Sequence, residues 1–171
     1  EAAIMVKNGK IADISEKHEL FRAPRTLAST LLTGCKNVTR LEKSANGDYL
    51  AVDWGIRLKA PSAGMQGNGN KAETVYRYAG FRAHYLKAEQ SSIEVPGDES
   101  YNILTCEILR EVEDTFSVVI QFYQKGLERK TEYSLLTYET GKEDWEKLKE
   151  RCAGGDVVLR IPEDALIWME S

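Results

Sequence analysis

Histidine and cysteine are scarce in this sequence, and their scarcity removes several classes of chemistry. His18 and His84 are the two histidines, and Cys35, Cys106 and Cys152 the three cysteines, among 171 residues. The cysteines never form a CxxC pair, so neither a disulfide framework nor a zinc site is indicated, and a reducing compartment fits best. A serine or cysteine nucleophile needs a base beside it. His18 stands among charges on an expected surface helix, and His84 follows Arg82 in a strand-like stretch where the sequence pairs it with no nucleophile. The chain carries no coherent catalytic set and no metal-ligand set, and it is read as a non-enzyme.

A phosphate-cradling GxxxxGK[ST] loop is absent as well. The nearest approach, Gly64 to Gly69, continues Asn70-Lys71-Ala72, which puts the lysine one place late with no hydroxyl after it. No apolar run approaches the roughly 20 residues that span a bilayer. Residues 1–6 are too short and too acidic at the start for a signal peptide, so a soluble, cytoplasmic protein is expected. Charge of one sign is lacking too. Lys and Arg number 23 against 27 Asp and Glu, a net charge of -4 with both signs interspersed, which offers nothing to a polyanion over the whole surface. Tyr76 and Tyr78, beside Arg77 and Arg82, make the best case for base stacking, but strand aromatics more often serve as packing.

What is present is a series of short strands. Asn8-Gly9 between the apolar runs 3–6 and 11–14 predicts a hairpin. Ser15 is expected to cap a short helix that ends at Pro24. A second helix should place Leu27 and Leu31 on one face and stop at Gly34. Strands are expected at 38–43, 49–54 and 56–58, with Leu50, Val52 and Trp54 on the buried face of the second. A Gly- and Asn-rich loop covers 61–71, and extended structure resumes at 73–78 and 83–88. A second loop holds Pro96-Gly97-Asp98. Leu104, Cys106 and Ile108 should face the core together with Val118, Ile120 and Phe122, across a turn that carries Glu111, Glu113 and Asp114. After a strand at 133–138, Thr140 and Glu143 have capping-box spacing for a helix with Trp145, Leu148 and Cys152 on one face. Strands at 157–161 and 166–169 close the chain. The pattern predicts a mainly β fold, one or more small antiparallel OB-like barrels with one late helix, preceded by a hairpin and two short helices that cannot enclose a core themselves.

Ile4-Met5-Val6-Lys7-Asn8-Gly9-Lys10-Ile11, then Glu19-Leu20-Phe21, Pro24-Arg25-Thr26 and Leu32-Thr33-Gly34-Cys35-Lys36-Asn37, resembles the end of an ABC importer ATPase. Asp53-Trp54-Gly55 and Gly80-Phe81-Arg82-Ala83-His84 look like the molybdate and sulfate branch, within a C-terminal TOBE or Mop-like β domain. The resemblance implies that residues 1–34 are the trailing edge of a nucleotide-binding domain and residues 35–171 a regulatory β domain. It implies a role in regulation and dimerisation, with a second copy and the transporter's membrane subunits as partners. It implies no nucleic acid, and a place peripheral to the cell membrane. ATP and Mg would belong to the parent protein, and this stretch would hold no cofactor. Cys35, Lys36, Asn37, Arg82 and His84 become candidate oxyanion-binding residues, since a tetrahedral dianion needs N–H and cationic donors. Lys36 stands where Mop domains have an arginine, a point charge in place of a bidentate fork. The alternative is a free-standing OB-like binding module for nucleic acid or a small ligand. The N-terminal hairpin and helices, which serve no barrel, separate the two.

Overall fold

The computed structural model describes residues 2–61, 75–89, 101–152 and 155–171. The glycine-rich stretch with the near-miss phosphate loop, the Pro96-Gly97-Asp98 loop and the beginning of the expected 73–78 strand lie outside the described residues.

The strands, in chain order, are β1 (Ala2–Lys7), β2 (Lys10–Glu16), β3 (Asn37–Lys43), β4 (Tyr49–Ala51), β5 (Ile56–Leu58) and β6 (Tyr78–Phe81). They continue as β7 (Lys87–Ala88), β8 (Ile103–Glu113), β9 (Ser117–Gln124), β10 (Leu136–Gly141), β11 (Val157–Arg160) and β12 (Ile167–Met169). Helices α1 (Lys17–Arg22) and α2 (Leu27–Leu32) follow β2, and α3 (Lys142–Cys152) follows β10. The chain is mainly β, with one late helix and antiparallel sheets, one of them curled into a half-barrel, which is the fold class expected.

β1 and β2 form the expected hairpin, with Lys7 opposite Lys10. Asn8 and Gly9 both take positive φ, 52° and 73°, which is the pair of left-handed residues that a two-residue type I′ turn requires. The remaining strands form two five-stranded sheets, in the orders β12-β6-β3-β4-β5 and β10-β9-β8-β11-β7. One core spans both. Trp54, Leu58 and Phe81 from the first sheet meet Leu104, Ile120, Phe122, Leu136 and Leu159 from the second, under Trp145 and Leu148 of α3.

Two asparagines stitch the sheets at their seams. The Asn37 side chain donates to the Thr137 carbonyl at 2.8 Å and accepts from the Thr137 N–H at 2.7 Å, so one amide does for β10 what a neighbouring strand would do. At the other seam Asn102 takes φ 59°. Its N–H donates to the Arg57 carbonyl, its carbonyl accepts from Ile161, and its Oδ1 accepts from the Lys59 N–H, which ties β5 to β11.

Several local expectations are corrected. Ser15 lies in β2, and Glu16 holds the first cap position without a side-chain bond. Thr26 and Ser29 cap α2 reciprocally, and its buried side is Ser29 and Thr30 while Leu31 and Leu32 face outward. Hydroxyls can turn inward there because Ser29 and Thr30 both donate back to the Thr26 carbonyl. The strand expected at 49–54 stops at Ala51: Trp54 is buried as expected, but Tyr49, Ala51 and Asp53 are buried too, and Leu50 and Val52 only partly so. Residues 83–85 form a 3-10 turn in place of a strand. Thr140 belongs to β10, and Glu111 and Glu113 to β8. Ile108 is exposed because a bulge between Ile108 and Arg110 carries β8 away from the core.

Residues 2–34 add little to the interior. Leu20 and Pro24 are their buried apolar side chains among the described residues, while Ile4, Val6, Ile11 and Ile14 are each more than half exposed. Ile4 pairs with Ile14 and Val6 with Ile11, so all four share one open face of the hairpin. No helix among the described residues is long and apolar enough to cross a membrane.

Candidate functional site

The five candidate residues gather at one end of the β3–β6 pair. Asn37 sits opposite Phe81 in the ladder, with Cys35 and Lys36 just before it and Arg82 and the turn bearing His84 just after. Three of the five are committed to the protein itself. The Cys35 thiol is buried and donates toward the carbonyls of Asn37 and Phe81, at 3.4 and 3.3 Å. Burial pushes its pKa up to about 11 despite the nearby Arg82, so it is a neutral thiol at physiological pH. Asn37 spends both ends of its amide on Thr137. Arg82 donates to the carbonyls of Thr33, at 2.7 Å, and Phe21, at 2.5 Å. Thr33 caps the C-terminus of α2 and Phe21 lies in the last turn of α1, so one guanidinium neutralises two helix ends and fastens the helix pair to β6. Lys36 and His84 remain exposed, the His84 ring 4.3 Å from that of Tyr85.

Gly80 explains the tight approach at this end. A Cβ built there would stand 2.8 Å from the Asn37 carbonyl oxygen and 3.2 Å from the Cys35 sulfur. Gly80→Ala is therefore expected to cost about 1–3 kcal/mol by overpacking against a backbone atom. Urea unfolding followed by circular dichroism checks it, and an unchanged midpoint would mean that β3 and β6 separate without cost.

Other residues weighed for chemistry are dispersed. His18 is exposed on α1. Cys106 and Cys152 are buried, and burial drives the Cys106 thiol far above the ordinary range. Tyr76 is buried in an aromatic cluster with Tyr49 and Trp168, ring centroids 5.9 and 5.4 Å away. Among the described residues no three His, Cys, Asp or Glu side chains stand close enough to hold a metal ion.

Sequence reasoning missed the buried carboxylate of Asp53. It accepts hydrogen bonds from the Arg40 backbone N–H at 2.9 Å, from the Arg40 guanidinium at 2.6 Å and from the Thr131 hydroxyl at 2.6 Å. Burial alone would raise its pKa, but the Arg40 and Thr131 hydrogen bonds and the Arg40 charge outweigh this and hold it below the ordinary carboxylate value. The signal was the parity of 49–54: had Asp53 been placed on the inner face, it would have demanded a cation.

A cleft of about 260 Å³ lies between Lys59, Tyr101, Asn102, Arg160 and Glu163. Its cations are already paired, Lys59 with Glu163 at 3.2 Å and Arg160 with Glu89 at 2.6 Å. Its volume also falls short of the roughly 300–1,000 Å³ of small-molecule sites. No protein-family model matches the sequence, and no curated protein matches it either.

Proposed function

We propose that the chain is the C-terminal regulatory and dimerisation region of the ATP-binding subunit of an ABC importer for an oxyanion such as molybdate or sulfate. The observation that carries this reading is the N-terminal hairpin. Four aliphatic side chains on one open face of a two-stranded ribbon bury too little to hold it in place alone. In this reading the open face packs against the ATPase domain, and Arg82 links that domain's last helices to the β unit. A movement of the β unit would then be felt at the ATPase domain through a charged, directional contact. Residues 1–34 are the trailing edge of the nucleotide-binding domain and residues 35–171 the regulatory part. The parent protein would hold ATP and Mg, dock on membrane subunits and lie at the cytoplasmic face of the membrane.

The decisive test is the reading frame upstream of the codon for Glu1. It is expected to encode a GxxxxGK[ST] loop and the rest of an ATPase, and unrelated sequence there would overturn the proposal. The oxyanion is tested separately. With Asn37 and Arg82 committed, Lys36 and His84 are the donors left for a dianion, so tungstate binding measured by calorimetry should weaken about tenfold in Lys36→Ala. Absence of any heat of binding would leave the region as a coupler and remove the oxyanion from the proposal.

A further inference from the structure

Asn102, just before β8, is 3% exposed and keeps one polar group unsatisfied. Its backbone N–H, its carbonyl and its Oδ1 are bonded to Arg57, Ile161 and Lys59 respectively. Because Oδ1 accepts from a backbone N–H, the orientation of the amide is fixed, since the flipped group would set donor against donor. Its Nδ2 then donates to nothing among the described residues, where buried NH2 groups are ordinarily paired. This amide lines the 260 Å³ cleft together with Lys59, Tyr101, Arg160 and Glu163. Lys59 bonds Oε1 of Glu163, and Arg160 bonds Glu89 through Nε. Among the described residues, Oε2 of Glu163 and the terminal nitrogens of Arg160 keep their capacity for a ligand. Two cations and two carboxylates balance, so a bare anion would meet Glu163 and Glu89 with no cation to spare for it.

We propose that this cleft binds a small zwitterion, an α-amino acid with an apolar side chain. The ligand's carboxylate accepts from Asn102 Nδ2 and Arg160, and its ammonium donates to Glu163. Its side chain lies against Ile161, Pro162 and the Tyr101 ring. That ring is held in place, its hydroxyl donating to Asp48 at 2.7 Å and the Arg57 guanidinium 5.3 Å from its centroid. The charged partners are half exposed and add little singly. The amide differs, because it is already desolvated and fixed by three other bonds, so binding neither strips water from it nor orders it. A volume below that of a drug-sized site suits a ligand of this size. The inference uses no part of the importer reading.

Calorimetry of the 171-residue chain with L-valine tests it. Saturable binding is expected, at least tenfold tighter than that of 3-methylbutanoate, which lacks the ammonium, or of isobutylamine, which lacks the carboxylate. Asn102→Asp keeps the Oδ1 acceptor and the tolerance of φ 59° but sets a carboxylate where the NH2 was, and should abolish binding in a chain whose circular dichroism is unchanged. Glu163→Gln, at a half-exposed position that the fold does not depend on, should weaken binding at least tenfold and tests the same site should Asn102→Asp fail to fold. No saturable heat with L-valine overturns the proposal, as does equal affinity for 3-methylbutanoate or unchanged affinity in Glu163→Gln. Each of these results leaves the importer reading standing, because that depends on the upstream reading frame.

Discussion

Trp54→Ala is expected to lower the unfolding free energy by about 4 kcal/mol, within the range for truncating a fully buried large aromatic. Trp54 is completely buried, and its ring meets that of Phe81 edge-on at 5.2 Å. Its Nε1 donates to the Tyr133 carbonyl at 3.1 Å, so truncation removes apolar area and also strands a carbonyl between β9 and β10. The indole lies where the two sheets share their core, and the cavity has rigid β structure on both sides that cannot collapse into it. Domains of this size are stable by only about 5–15 kcal/mol, so the variant should unfold at a much lower urea concentration. Trp54→Phe, which keeps most of the area and loses the N–H, should recover more than half of the loss. A shift of less than about 1.5 kcal/mol in Trp54→Ala would show that this indole does not hold the sheets together.

Asp53→Asn is expected to cost about 3 kcal/mol at neutral pH. Breaking a buried ion pair from one side costs about 3–5 kcal/mol, and the lower end applies because Arg40 is half exposed and regains water when its partner is lost. The neutral amide also turns an NH2 group toward donors, since Arg40 and Thr131 both donate to this side chain. The pH dependence follows from the depressed pKa. The unfolded chain binds a proton at Asp53 near the ordinary value of about 3.9, and the folded chain only at a lower pH. The contribution is therefore fully present above the unfolded value and is lost as pH falls through the folded one. Urea midpoints measured between neutral pH and pH 2 should fall less steeply in Asp53→Asn than in the wild type. Parallel curves would place the acid sensitivity on other carboxylates.

The Asp53-Trp54-Gly55 phrase shows where sequence reading succeeds and where it stops. The phrase could be singled out, and Gly55, at φ 69°, stands just before β5 as read, but β4 has already ended at Ala51. Its internal logic was inverted, because alternation along 49–54 assumed a strand through Trp54 while the chain turns at Val52 and buries Asp53 and Trp54 together. Periodicity assigns a face only while the backbone stays extended. Of the five residues of the anion reading, Asn37 lies opposite Phe81 and Cys35 bonds to the Phe81 carbonyl, just before Arg82. That Asn37 would serve as a strand surrogate for Thr137, one hundred residues away, had no local signal.

By itself the sequence determined the hairpin at Asn8-Gly9, the stop at Gly34, the core face of α3 and the mainly β class. Each of these depends on backbone preference or spacing within a few residues, and glycine at positive φ or apolar residues at helical spacing act wherever the chain goes. Only the tertiary structure decided that the two sheets share one core, that Arg82 would hold the ends of both short helices, and that β8 would extend past β11 into an open edge. These features arise where segments distant in sequence meet, and no local propensity encodes which carbonyl, carboxylate or strand will be waiting there.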